Sequence, residues 1–500
     1  MSHAHPARLA SALAALSTAA LVHAQTRLYV DAAAPAGGDG QSWAHALTDL
    51  QAALDVATGR PNRFDQIEIR VAQGLYTPDQ GTHDRSRSFT VASGVTLRGG
   101  FVGMLAGVTG DPDQNDPSRF VSVLSGDLSH NDGPADSSRT DNSLLLVRLN
   151  GYGIQLDGFT LRGAAAALSA NITGSVVKRC TITDNISNAS ITSTAAPIVG
   201  MNGGVMLQCV VADNHASLEA VLWGWNCSLL QTTIAGNSLT RIGTYSYADG
   251  LVSINGPNSS LDACLIAANS SYTLCLSTAC GIPLYNCTIV DNLADSSPGL
   301  SGCAANLYNC IFSRNITTGS GGPTGPQVSG YGPYLLNCFL DRGLADVQAI
   351  NGSHVTGIQT ISGSPGFVNP SGPDNDPATW QDNDYRLGAG SPCIDHGDST
   401  YIPSTSLHQD IRGLNAVDDP TAPNLGSGPV AIIDVGAFER APVPCIADFD
   451  RSGTLTTTDL MIFLSTWLSG NMSADVDHSG TLTSHDVLEF IGVWFAGCAG

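Results

Sequence analysis

Two stretches near the end of the chain hold its densest sets of oxygen donors. DFDRSGTLTTTD (residues 448–459) and DVDHSGTLTSHD (residues 475–486) repeat one another at an offset of 27 residues. Oxygen donors fall at loop positions 1, 3, 5, 7, 9 and 12, which are Asp448, Asp450, Ser452, Thr454, Thr456 and Asp459 in the first copy. The second copy places Asp475, Asp477, Ser479, Thr481, Thr483 and Asp486 there. Gly453 and Gly480 take the sixth position, where a calcium loop turns sharply and wants a positive φ. A hard cation collects about six to eight oxygens, and three carboxylates per loop supply the charge. Each copy is therefore expected to hold one Ca2+. Serine at position 5 is a weak ligand, and Asp replaces the bidentate Glu of position 12. Both changes point to the modest affinity of extracellular sites. Two solvated Asp-Gly turns are the plain alternative, and duplication in phase speaks against it.

A second set of reactive side chains sits mid-chain, in short units that end in asparagine. The residue before that asparagine is in turn Asp184, Asp213, Gly236, Ala268, Asp291 and Arg314. If successive units stack, Asp184 and Asp213 lie about 5 Å apart. That is near the spacing of a retaining glycosidase pair, and one of two such carboxyls is pushed upward. Lys178, the only lysine, is close in sequence. These three are the catalytic candidates. Asp before Asn at a strand end is also ordinary turn chemistry, and the turn is the stronger expectation. His396, between Asp395 and Asp398 in CIDHGD, offers a metal site or, more simply, belongs to a segment that ends the preceding structure. Trp223 and Trp225 offer ring faces to sugars or sit in a packed turn, and the turn is again favoured. No Ser/His/Asp signature, phosphate loop or zinc spacing emerges, so nothing compels an enzyme.

The elements that position these groups repeat. CTITDN (from Cys180), CVVADN (Cys209), TTIAGN (Thr232), CLIAAN (Cys264), CTIVDN (Cys287) and CIFSRN (Cys310) are followed by a decayed copy at Cys338. Successive starts are 29, 23, 32, 23, 23 and 28 residues apart. A period in the low twenties with β-branched units signals a solenoid. The expected fold is all-β, a right-handed parallel β-helix with coils stacked at about 4.8 Å. Inward cysteines then form a buried column, as thiols. The asparagines tolerate left-handed geometry and bond along their own column. Cys280 and Cys303 offer a second column, and Cys275 with Cys280 a local pair. A strand at Leu28–Val30 precedes an amphipathic helix over Ser42–Ala57, which would cap the first coil and block edge pairing. Strands are expected from Ile67, Ser88, Ser122, Asn142 and Ile154, with a bulging loop over Gly103–Arg119. A leucine-rich repeat is the structural rival, and its leucine comb is not evident.

Behind each calcium loop runs an apolar stripe. Leu460, Phe463, Leu464 and Trp467 fall at i, i+3, i+4 and i+7, and Val487, Phe490, Ile491 and Trp494 repeat the spacing. Both read as helices whose stripes pack together. This loop-helix, loop-helix module lacks the helix that precedes the loop of an EF-hand. It resembles type I dockerins, and its Gly497-Cys498 close resembles a Gly-Cys variant of them. The resemblance implies a cohesin-like protein or a cell-surface component as partner. Dockerin partner contacts come largely from loop positions 10 and 11, which carries that role to Thr457 and Thr458 and to Ser484 and His485. Cys445 and Cys498 bracket the module, and a disulfide between them would support its thin core.

Residues 1–24 read as a signal peptide, with Arg8, an apolar run from Leu9 to Val22 and a cleavage site near Ala24. No later stretch is long and apolar enough to span a membrane. A net charge of −22 argues against nucleic acid. Only 13% of residues are charged and 55 are glycine, which favours a turn-dense β architecture. The β-helix is assigned to residues 25–440, a stiff linker to 441–444 and the calcium module to 445–500. SPCIDHG and VGAFE, together with GVTLRGGFVG, resemble choice-of-anchor Q β-helix proteins over about residues 28–440. The expected protein is secreted, binding or structural, presenting a carbohydrate- or surface-binding face and tethered through its calcium module. The alternative is a dockerin-borne lyase or glycoside hydrolase acting on acidic polysaccharide.

Overall fold

The computed structural model describes residues 26–496 apart from 61–64, 105–109, 134–135, 172–173, 189–191, 193–195, 218, 241–249, 304, 320–324, 403–408, 431, 441–445, 448, 450–454 and 478, and apart from the side chains of 136, 137, 303 and 496. The expected signal peptide, linker, Cys445, Cys498 and half of the first expected calcium loop, with its ligands Asp448, Asp450, Ser452 and Thr454, lie outside the described residues.

The chain winds as a parallel β-helix. Face one has twelve strands, from Thr26–Val30 to Thr356–Ile358. Face two has ten, from Gly74–Tyr76 to Phe339–Leu340. Face three has ten, from Phe89–Ala92 to Val347–Ala349. A ribbon of six short strands, Ile186–Ser187 to Ile316–Thr317, turns the corner between faces two and three. Every pairing among these strands is parallel and keeps inward positions in line. On face one, Val177, Met206, Leu229, Leu261, Leu284, Leu307 and Leu335 stand in one register column, all buried. A leucine comb therefore exists, hidden because strands of three residues show only one inward leucine each.

Two corners explain the repeat. The residue before each motif asparagine, not the asparagine itself, is left-handed, with φ near 54° at Asp184, 55° at Asp213 and 52° at Ala268. The asparagine then turns inward. Asn185 Nδ2 donates to Asn214 Oδ1 at 3.0 Å, and the chain of amides continues through Asn237, Asn269, Asn292 and Asn315 to Gln327 Oε1. The residue before each motif cysteine is left-handed too, as at Gln208 and Asn286. The cysteines themselves, Cys180, Cys209, Cys264, Cys287, Cys310 and Cys338, are buried free thiols. Cys275 is also a buried free thiol, whereas exposed Cys280 is disulfide-bonded. The two do not pair with each other.

The amino-terminal helix is shorter than expected. A 3-10 turn covers Trp43–His45, and helix α1 spans Leu50–Thr58 with Asp49 as its N-cap, accepting from Ala52 N at 3.1 Å. Its Leu50, Ala53, Leu54 and Ala57 join the solenoid core. The Asn142 segment extends only over Val147–Asn150, after a 3-10 turn at Asp136–Asp141.

Past Ile361 the chain does not simply terminate the solenoid. It runs back along the outside of face two, with an antiparallel pair at Phe367–Asn369 and Asp384–Leu387. Outward positions of face two are apolar, including Ala235, Leu265, Val290, Ile311 and Phe339, and they pack under Tyr385, Trp380, Leu387, Ile394 and Val435. Hydrogen bonds fasten this cover. Gly436 N donates to Asn309 O at 2.8 Å, Ala437 N to Thr288 Oγ1 at 2.9 Å, and Gln231 Nε2 to Asp410 O at 2.7 Å. The terminal module has its own core. Helices α2 (Thr457–Leu468) and α3 (Ser484–Ala496) stack Phe463 on Phe490 with ring centroids 3.9 Å apart.

Candidate functional site

Of the catalytic candidates, Asp184 and Asp213 stand in register, and all three are held by other partners. Asp184 precedes Asp213 by one coil, with Asp184 N donating to Asp213 O at 3.3 Å. Arg139 pairs with Asp184 Oδ1 at 2.5 Å. Asp213 Oδ1 accepts from Trp380 Nε1 at 2.8 Å and its carboxylate also from Gln381 Nε2, both in the cover. Lys178 stands on face one, away from that corner, 3.5 Å from Asp157. His396 Nδ1 lies 3.2 Å from Pro392 O within the cover. Burial lowers its pKa.

Face one carries an ionic ladder. Asp157 is fully buried and held by Arg179 at 2.8 Å, Arg98 at 3.2 Å and Lys178. Glu68 is held by Arg27, Arg70 and Arg98 at 3.0 to 3.1 Å. Arg70 also meets Asp113 at 2.8 Å. A buried carboxylate persists when it is paired this fully. Alternation along IEIRVA, VTLRG and SVVKR put these groups outward, a signal available in the sequence.

Face three differs in character. Trp223 and Trp225 are alternate residues of the strand Leu222–Trp225, and Gly224 between them points into the core against Cys227 and Ile254. Both indoles therefore project outward, and they stand on a sheet rather than in a turn. Trp225 is 43% exposed. Among the described residues neither ring meets another aromatic ring. In register with Trp225 lie Asn202 on one side and Asn255 on the other, with Asn171 and Asn150 further along. Asn202 Nδ2 donates to Asn171 Oδ1 at 3.1 Å. In register with Trp223 lie Gly200 and Ser253. Sequence reading missed the asparagine row, although VRLN, LSAN, VGMN and VSIN all end alike.

In the terminal module the second loop has the form of a metal site. Asp475, Asp477 and Asp486 bring carboxylate oxygens within 4.8 Å of one another, the one such group among the described residues. The backbone shapes them. Ser479 N donates to Asp475 at 3.0 Å and to Asp477 at 2.9 Å, Gly480 N to Asp475 at 2.8 Å, and Val476 N to Asp486 at 3.0 Å. Gly480 has φ 80°. Three like charges facing one another fit a divalent cation, which Asp475, Asp477 and Asp486 would hold with oxygens of Ser479, Thr481 and Thr483. In the first loop, Asp459 is described. It accepts from Thr456 N at 2.8 Å and closes a capping box on α2. The halves interlock symmetrically, since Trp467 Nε1 donates to Thr483 O at 3.0 Å and Trp494 Nε1 to Thr456 O at 3.1 Å. Thr457, Thr458, Ser484 and His485 are exposed. So are the equivalent pairs Met461 and Leu488, and Leu468 and Phe495, the last two by 77% and 78%.

No family model matches the chain, and no curated protein matches it. Among solved structures it is similar to pectate lyase Pel9A, with TM-score 0.36 and 12% identity over 83% of this chain and 97% of that one. It is also similar to a rhamnogalacturonan lyase, with TM-score 0.31 and 11% identity over 70% of this chain and 94% of that one. Likeness at this level transfers no activity.

Proposed function

We propose that this chain is an exported binding protein that presents a carbohydrate-binding surface on face three and is tethered through a calcium-dependent carboxy-terminal module. The outward pair Trp223 and Trp225, set among asparagine and serine on a flat sheet, carries the reading. Indole rings supply wide apolar faces at low entropic cost, and amides supply donors and acceptors for hydroxyls. Export is supported by the oxidised state of exposed Cys280, since disulfides persist in oxidising compartments. No helix among the described residues is long and apolar enough to cross a membrane. The module takes two Ca2+, one per loop. Its partner, a cohesin-like protein or a surface component, meets the exposed apolar pairs on α2 and α3 beside Thr457, Thr458, Ser484 and His485. In this reading α1 caps the solenoid.

Pull-down on insoluble polysaccharides tests the surface. The chain is expected in the pellet, and Trp223→Ala with Trp225→Ala is expected in the supernatant. Equal partitioning of the two would refute the assignment.

One observation favours the second reading, an enzyme acting on acidic polysaccharide. Five cations, Arg27, Arg70, Arg98, Lys178 and Arg179, gather on face one of an acidic chain. Release of unsaturated products from polygalacturonate, lost in Lys178→Met, would establish it over the binding reading.

A further inference from the structure

We infer that the occupant of face three is an uncharged, linear polysaccharide lying along the solenoid axis, so that successive sugars meet successive coils. The inference rests on the reading of face three as a sugar-binding surface and names the class of sugar. Charge is the first argument. The chain carries −22, yet from Ser169 through Gly200, Trp223, Ser253 and Ser277 to Ser301 the outward row carries no charge, and Arg148, three coils from Trp223, is the first one met along it. The neighbouring row Asn150, Asn171, Asn202, Trp225 and Asn255 carries none either. An anionic glycan would find no counter-ion on the coils beside the tryptophans, whereas hydroxyls find amides and serines there.

Spacing is the second argument. The asparagine row repeats once per coil, about 4.8 Å, close to the rise of one sugar in an extended glycan. Asn202 Nδ2 is spent on Asn171 Oδ1. Among the described residues, Asn202 Oδ1 and Asn171 Nδ2 have no other protein partner, and an acceptor and a donor are left to meet adjacent hydroxyls. Trp225 occupies the same row between Asn202 and Asn255. A chain laid along the row stacks one sugar on the indole and hydrogen-bonds those before and after it. A chain laid across the sheet would meet both tryptophans but only one coil of amides.

Affinity electrophoresis of the full chain in gels containing hydroxyethyl cellulose, xylan or polygalacturonate tests this. Retardation by a neutral glycan is expected, unchanged by high salt. Trp225→Ala should weaken it at least tenfold. Asn171→Ala and Asn255→Ala, three coils apart, should each weaken it about fivefold, as for one lost hydrogen bond. All three side chains lie on the surface, so unchanged thermal unfolding shows the fold intact. Retardation by polygalacturonate alone, abolished in Trp223→Ala with Trp225→Ala, overturns the neutral class and leaves the binding face standing. Neutral binding that needs Trp225 but ignores both asparagines overturns the axial course. Retardation by no glycan, or indifferent to both tryptophans, overturns the binding face itself and this inference with it.

Discussion

Asn237 takes two hydrogen bonds on Oδ1, from the main-chain and side-chain nitrogens of Asn214, and its two Nδ2 hydrogens are shared among Val211 O, Ala235 O and Asn269 Oδ1. Leucine at this position would keep the volume and strand every partner in a dry core. Each buried group left unsatisfied costs about 1 to 3 kcal/mol, so Asn237→Leu is expected to destabilise the solenoid by about 3 kcal/mol or more in urea unfolding. A loss below about 1 kcal/mol would mean that the ladder is ornamental. Cysteine fills space more than it bonds, with weak thiol contacts such as Cys209 Sγ to Leu207 O at 3.4 Å. Burial pushes the thiols of Cys209, Cys264, Cys287 and Cys310 well up, which suppresses the reactive thiolate. The nine buried free thiols among the described residues are expected to stay silent to Ellman's reagent in the folded protein and to appear on denaturation. Fast labelling under native conditions would contradict the buried column. These columns were legible as C-x4-N spacing. The left-handed turn one residue earlier was not, because Asp, Gly, Ala and Arg all occupy that position.

At the level of elements, the second acidic loop and the helix behind it form one unit. Asp486 is the last loop carboxylate and also accepts from Thr483 N at 2.7 Å, near the start of α3. Asp448→Ala with Asp475→Ala is expected to abolish calcium-dependent ordering of the module, read by tryptophan fluorescence from Trp467 and Trp494, while the solenoid melts as before. Unaltered calcium titration in that variant would refute the ligand assignment. The stripes at i, i+3, i+4 and i+7 anticipated α2 and α3, since helical periodicity is local. The shortened amino-terminal helix was less legible. Asp49 is a preferred cap, but the apolar pattern begins earlier at Trp43, and only the contact of Trp43 with Phe101 and Tyr29 explains why that residue belongs to a separate cluster.

Across the whole molecule the cover over face two is knit together by buried carboxyls. Burial pushes Asp434 up to about 7, and the charges of Asp395 and Asp410 add to this against the amides of Asp395 and Arg440. Burial raises Asp395 to about 6 and, against the pull of Arg314, Asp291 to about 6. Glu439, Asp410 and Asp419 share the region with Arg412 and Arg440. The folded chain therefore keeps protons that the unfolded chain, with carboxyls near 3.8, has already released. Stability contributed here is fully present below about pH 4 and is lost as pH rises toward about 7. The thermal midpoint should fall by several degrees over that range, and Asp291→Asn should shallow the slope because one titration is gone. A midpoint that rises steadily to neutrality would sink this account.

Repetition made the solenoid readable from sequence alone, because each coil is a local unit and stacking only copies it. Duplication made the two acidic loops stand out, because the expected ligands of each lie within twelve consecutive residues; for the second loop the fold brings Asp475, Asp477 and Asp486 together. Tertiary structure alone decided the rest. Which face stays open depends on where a distant segment returns, and Tyr385, Leu387, Ile394 and Val435 settle on face two because its outward side chains are apolar. That return puts Trp380 on Asp213 across 167 residues, whereas Trp223 and Trp225 stay outward on face three. Neither outcome is a property of local sequence, since burial is set by what arrives from elsewhere in the chain.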